Sequence, residues 1–449
     1  MRRPGIQSLA GGAAAIAAAV IGGVTLTSVS AAGPARPAAV RPFVDAAHVP
    51  PALTFRGEPV TLRYAIVCPP REDGLPCAGA GTVYLRPGTS GSFHPYSLLR
   101  GDDAASGRYS LTVPPAIAAG SFSYYAVLRD ESTGATTTVP AGGAAAPQVS
   151  LPLGDALNVN LGRHAFGRAR DADAAVADVS WGSGAGEVGL AGSRALGFSG
   201  PSSFDVEADG TVDVLDSVNG RVLRFENGRR RTVPLDGPKE LSDFAATTDG
   251  GFEVLQPRGL FVRYRADGTP LWEQKIADRT WAKLAHGRSG SVVLQEPSEQ
   301  WLPAADGGAP LARAEQARAA RSAKPLDNGH DLAVARVGAN ELRVAELRGA
   351  APVRSWRITS ETPLGEVQLA ESHGSRIVVV VRAYTDERDE FDVLVLDHHG
   401  AAARFAVASD TWTETAPLAR FRLAHGALYR LRTTPSGASV DRFDLEVPQ

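Results

Sequence analysis

The chain has 449 residues, 43% of them hydrophobic and 21% charged, with 48 Gly, 31 Pro and two Cys. This length is enough for two domains with cores of their own, and the balance of apolar and charged residues excludes a disordered chain. A formal charge of −3 lacks the basic field that a nucleic-acid binder needs, so no such partner is expected.

Arg2 and Arg3 precede an uncharged, Ala/Gly/Ile/Val-rich run over residues 9–28, and Val29-Ser30-Ala31 offers small residues to a peptidase. Residues 1–31 therefore read as a signal peptide. The run is longer than the usual signal core, so an uncleaved membrane anchor is the alternative, and otherwise no membrane contact is expected. A secreted or extracytoplasmic location at the cell envelope follows. Residues 32–49 are Pro/Ala-rich without periodicity and read as a linker.

Residues 50–153 alternate as strands do. Val60, Leu62, Tyr64 and Ile66 fall on one face, and Thr61, Arg63 and Ala65 on the other. Similar runs lie at 82–86, 108–113, 122–128 and 136–139, separated by turns at Pro87-Gly88, Ser106-Gly107 and Thr133-Gly134. This rhythm predicts a β-sandwich. Cys68 and Cys77 bracket a Pro/Gly-rich turn, and in an oxidising compartment they are expected to form a disulfide, with two free thiols as the alternative.

Residues 154–449 hold six units, whose first strands start near Phe204, Phe244, Leu284, Leu326, Val367 and Phe421. Each first strand ends in a tight turn: Asp209-Gly210, Asp249-Gly250, His286-Gly287, Asn328-Gly329, His373-Gly374 or His425-Gly426. A strongly apolar strand follows each turn. Repeats of about forty residues with four strands apiece predict a six-bladed β-propeller. The last unit has room for three strands only, so residues 174–181 are expected to supply its outermost strand and close the ring. The predicted fold is all-β, a β-sandwich followed by a six-bladed propeller.

Residues 200–228 resemble an NHL repeat. The matching positions are Gly200-Pro201, Phe204-Asp205-Val206, Asp209-Gly210, Val212, Val214, Asp216-Ser217, Asn219, Arg221-Val222 and Phe225; Asp213 stands where an aromatic is usual. Residues 266–273 also resemble the Asp-Gly-x-x-Leu-Trp corner of quinoprotein-type blades. Residues 121–140 resemble the closing hairpin of fibronectin type III or bacterial immunoglobulin-like domains. NHL propellers are mostly binding platforms, with a few lyases and hydrolases, so the resemblance implies binding without choosing a ligand.

No catalytic signature is present. The GxGxxG match at 184–189 lacks the βαβ setting that a dinucleotide site needs. Arg100-Gly101-Asp102 is explained as a turn, Arg229-Arg230-Arg231 as a polar rim, and 386–390 as a solvated hairpin tip. His398-His399 has no identifiable ligand partners, and 311–324 reads as a surface excursion. His286, His330, His373 and His425 recur at or beside equivalent turns. A ring of imidazoles binding metal or anion is the sharp reading, and turn chemistry the preferred one. No cofactor and no metal site is expected. The expected role is an exported, non-enzymatic protein presenting a propeller face to a protein or glycan partner at the envelope. The rival is a lyase or hydrolase using a divalent cation in the channel. Asp205, Asp243 and Glu371 are the channel-side candidates for binding, and alanine at all three is expected to abolish capture without altering melting.

Overall fold

A computed structural model of the chain describes residues 45–48, 51, 53–67, 79–100, 108–193, 195, 197–236, 243–256, 259–275, 283–286, 292–295, 301–303, 323–326, 328–349, 351–415 and 417–445. The expected leader, Cys68 and Cys77, the Arg-Gly-Asp tripeptide at its Gly101 and Asp102, and residues 311–322 lie outside these. The regular structure of the described chain is almost entirely strand, with one short helix and one 3-10 turn. Among the described residues no helix is long and apolar enough to cross a membrane.

Two sheets enclose the first core. One runs Asp45–His48, Thr61–Val67, Arg108–Thr112, Leu99–Arg100. The other runs Leu53–Phe55, Gln148–Leu153, Phe122–Asp130, Gly79–Pro87, His94–Ser97, with Thr136–Val139 also paired to Phe122–Asp130. Leu62, Tyr64, Ile66, Val83, Leu85, Phe122 and Tyr124 are buried between them. The alternation in Thr61–Val67 sends Arg63 and Val67 outward, as period-2 geometry requires. Asp45–His48, read from sequence as linker, is a sandwich strand paired with Thr61–Val67. Its Ala-rich sequence carries no alternation; what holds it is His48. The imidazole stacks on Tyr64 at 4.2 Å, donates from Nδ1 to the Arg63 carbonyl at 2.6 Å, and accepts at Nε2 from the Tyr124 hydroxyl at 3.0 Å.

Six antiparallel meanders follow among the described residues. The first is Ser203–Val206, Val212–Asp216, Arg221–Glu226, Arg229–Pro234; the second Asp243–Ala246, Phe252–Leu255, Leu260–Tyr264, Pro270–Lys275; the third Lys283–His286, Val292–Gln295, Trp301–Pro303. The fourth is Ala323–Pro325, Asp331–Arg336, Glu341–Arg348, Ala351–Thr359; the fifth Leu364–His373, Arg376–Tyr384, Asp389–Asp397, Gly400–Ala408; the sixth Phe421–Ala424, Ala427–Thr434, Gly437–Asp444. Second strands such as Arg376–Tyr384 are buried on both faces and accordingly read as apolar runs.

Core clusters join the fourth meander to the fifth, the fifth to the sixth, the sixth to the first, and the first to the second. The innermost strands of the first and second, the second and third, and the fifth and sixth meanders stand beside one another, and Ser203–Val206 touches Phe421–Ala424, so first and last meet. Radial sheets around a common axis, first against last, make a β-propeller.

Ala174–Ser180 pairs antiparallel to Gly437–Asp444 and forms the outer edge of the sixth meander. Gly437 lies so close to the Val179 carbonyl that a Cβ there would sit 1.8 Å from its oxygen. Leu157–Asn160, which no local pattern marks, adds a fifth strand parallel to Ala351–Thr359.

The sandwich packs on the fourth meander. Leu53, Val149, Leu151 and Leu153 meet Ala333, Ala335, Ala345 and Leu347. Arg343 crosses the same boundary, donating to the Leu53 carbonyl at 3.2 Å and to Glu58 at 2.6 Å. A strap from Leu157–Asn160 to Ala174–Ser180 is pinned midway by His164. Its ring bridges Glu390 (Nε2 to Oε2, 2.8 Å) and Asp392 (Nδ1 to Oδ2, 3.2 Å), and Arg404 also holds Asp392.

Candidate functional site

The inner strands present their polar groups to the propeller axis. Asp205 accepts from the Val206 N–H at 2.9 Å and from the Ala246 N–H of the next meander at 2.7 Å. Asp243 accepts from the Phe244 N–H at 2.9 Å, the Ser203 hydroxyl at 2.5 Å and the Leu284 N–H at 2.6 Å. Each carboxylate therefore ties its strand to a neighbour. Ionised acceptors make charge-assisted hydrogen bonds, about twice as strong as neutral ones.

Arg422 completes this layer. From the sixth meander its Nε donates to the Phe204 carbonyl at 3.0 Å, Nη2 to the Phe244 carbonyl at 3.2 Å and Nη1 to the Leu284 carbonyl at 3.5 Å. Its Nε also lies 3.4 Å from Asp205, and its Nη2 3.8 Å from Asp243. One guanidinium thus gathers three meanders at the axis, using the planar fork of donors that lysine lacks.

Above this layer, on the side of the Asp209-Gly210 turn, a cavity of about 630 Å³ opens. Asp205 lies at its base, with walls from Glu207 and Asp209, Thr247 and Thr248, Lys324, Glu371 and Ser372, and His425. Lys324 is almost wholly buried and its Nζ donates to Glu371 at 2.9 Å.

Glu207 has an unusual environment. Asp213, fully buried, takes both forks of Arg224 at 2.9 Å, and Glu207 contacts the same guanidinium. Two carboxylates share one cation. Burial first, then the hydrogen bond and charge of Asp213, push the Glu207 carboxyl up to about 8, with Arg224 pulling the other way. Asp209, by contrast, is held below the carboxylate range chiefly by the Thr211 N–H and hydroxyl.

The three residues singled out from sequence therefore separate. Asp205 and Glu371 line the cavity, whereas Asp243 is not among its walls and has no exposed surface. Alanine at Asp205 or Asp243 would strand neighbouring N–H groups, so the expectation of unaltered melting does not suit these two. The histidines separate as well. His425 lines the mouth, takes a positive φ of 49°, and donates from Nε2 to the Glu207 carbonyl at 2.9 Å. The His373 ring lies beside Gly426. His330 belongs elsewhere, with Nδ1 2.6 Å from buried Glu346. His286 ends the strand Lys283–His286. Among the described residues no three His, Cys, Asp or Glu side chains converge as metal ligands would.

Sequence reasoning passed over Arg422, Lys324 and Glu207. A signal existed for the first. Phe421-Arg422-Leu423 aligns with Phe204-Asp205-Val206, so a charge of opposite sign occupies the equivalent inner-strand position of the adjacent meander.

No family model and no curated protein matches the chain. Solved structures similar to it include a streptogramin B lyase (11% identity over 80% of this chain and 97% of that one, TM-score 0.32). BamB from Moraxella catarrhalis is also similar (12% identity, 56% and 85% covered, TM-score 0.28). So is YCF48 bound to D1 peptide (11% identity, 56% and 79% covered, TM-score 0.34). These are likenesses at low identity.

Proposed function

We propose that this chain is an exported, non-enzymatic binding protein whose propeller receives part of a protein or glycan partner in the cavity at its channel mouth. The carrying observation is the cavity itself, a cup of about 630 Å³ lined by residues of the first, second, fourth, fifth and sixth meanders. It lies beside the layer in which Asp205, Asp243 and Arg422 tie inner strands together. Cups of this volume are typical of small-ligand and side-chain recognition.

In this reading the ring has six blades of NHL-like kind, and residues 154–449 form it with 174–181 as the closing strand. Residues 50–153 are an immunoglobulin- or fibronectin-like spacer held rigidly against the fourth blade. Residues 1–31 direct export, and Cys68–Cys77 is an oxidised staple. The partner belongs to the cell envelope.

Filling the cup tests the proposal. A Thr248→Trp/Ser372→Trp chain should melt within a few degrees of wild type, because both side chains line the cavity rather than the core. It should fail to retain the envelope partner that wild type retains in matched pull-downs. Equal retention by both proteins would refute binding at the mouth.

A further inference from the structure

We propose that the cup is specific for an organic cation, a primary ammonium or a guanidinium, seated against Glu207 and Asp209 with the Thr247 and Thr248 hydroxyls completing its hydrogen bonds. The inference rests on the reading of the cup as a binding site.

The walls are unevenly charged. Asp205, Glu207, Asp209 and Glu371 face Lys324 and His425. Two of the four carboxylates are already matched. Asp205 serves Ala246 and Arg422 beneath the cavity, and Glu371 is paired with the buried ammonium of Lys324. That pairing also disfavours an anionic ligand, because Lys324 would have to exchange a carboxylate it already holds while the ligand passes Glu207 and Asp209.

The wall from the first meander is different. Arg224 is engaged bidentately by Asp213, so Glu207 has only a share of that guanidinium. The result is a partly buried carboxyl with less positive charge around it than its ionised form needs. The groups facing it are Asp213, Arg224 and Asp209, together with the His425 ring on its backbone carbonyl. An incoming ammonium or guanidinium would supply the missing charge, and it carries several N–H donors against a wall made of acceptors. A bare metal ion is the poorer fit, since the described side chains form no three-ligand set.

The raised Glu207 carboxyl implies a signature that simple electrostatic attraction lacks. At neutral pH this carboxyl is largely protonated, so a cation that binds against it must displace a proton. Affinity should then rise by up to about tenfold per pH unit from pH 6 towards 8 and level off above it.

The test is titration calorimetry of the full chain with cadaverine and agmatine, at pH 7, in two buffers of different ionisation enthalpy. A lysine-containing tripeptide blocked at both ends is the third probe; 1,5-pentanediol and glutarate are the neutral and anionic controls. Saturable one-to-one binding of a cation with net proton release is expected, and neither control should compete. Tighter binding of the peptide would assign the cation to a partner's side chain, and tighter binding of cadaverine or agmatine to a free amine. Glu207→Gln should weaken binding by about tenfold or more and remove the proton release, with Asp209→Asn as the second variant should the first unfold. Absence of saturation by all three cations would overturn the inference, as would proton release that persists in Glu207→Gln. Should pentanediol or glutarate bind instead, and Thr248→Trp block it, the cup would stand as a site and its cation specificity would fall.

Discussion

Replacing Arg422 with methionine keeps most of the side-chain volume and removes the guanidinium. The Phe204 and Phe244 carbonyls then lose donors at 3.0 and 3.2 Å, and Asp205 and Asp243 lose the cation beside them. Hydrogen bonds to a charged group contribute about 1.5–3 kcal/mol each, and the loss of one partner from a buried charge pair typically costs about 3–5 kcal/mol. The contact to the Leu284 carbonyl, at 3.5 Å, adds little. The aspartates retain their bonds to Val206, Ala246, Phe244, Ser203 and Leu284, which caps the damage. A loss of about 4 kcal/mol is therefore expected. At roughly 1 °C per kcal/mol for a chain of 449 residues, the melting midpoint should fall by about 4 °C. Circular dichroism melts measure this directly, and hydrogen exchange should show the Ala246 and Leu284 amides exchanging faster. Arg422→Lys keeps the charge without the fork, so it should recover less than half of the loss. A midpoint within about 1 °C of wild type for Arg422→Met would refute the idea that this residue gathers the inner strands.

Three further outcomes follow from the same geometry. Gly437→Val should detach Ala174–Ser180, since the added Cβ would meet the Val179 carbonyl at 1.8 Å; limited proteolysis should then cut within 174–180, where wild type resists. His48 is buried and its pKa falls from 6.5 to about 4, so the folded sandwich holds it neutral. Stability should therefore be lost as pH falls from 6.5 towards 4, by (6.5 − 4) × 1.36 or about 3 kcal/mol; urea midpoints for wild type and His48→Phe should lose that difference in the variant. For His164, hydrogen bonding to Asp392 outweighs burial and raises the pKa, while Asp392 is lowered by His164 and Arg404 against its burial. The clamp should hold in full between the unfolded pKa of Asp392 and that of His164, weaken as pH rises through the raised His164 value, and weaken in acid as Asp392 protonates. An imidazole NMR titration for His164 with a midpoint at or below 6.5 would contradict this.

Much of the architecture is legible in local pattern. Period-2 alternation such as Leu62, Tyr64, Ile66 needs only one dry face, and tight turns such as Asp209-Gly210 need only a residue that accepts positive φ, here 90° at Gly210. Such information sits within about ten residues, so strands, hairpins and their repetition can be read directly. The polar candidates were less legible. Asp205, Asp243 and Glu371 look alike as acidic residues near inner strands, yet one lines the cup while tying two strands, one is sealed between strands and one is paired with Lys324.

Only the closed ring decided those roles. It brings residue 422 to residues 204, 244 and 284 and carries 157–160 to the far edge of the fourth meander. Contacts between positions more than a hundred residues apart leave no periodic trace, because their partner is chosen by how sheets pack and where the circle shuts. The amino-acid order by itself determined that strands would form and where they would turn; tertiary packing determined which charges face one another and therefore what the mouth of the propeller can hold.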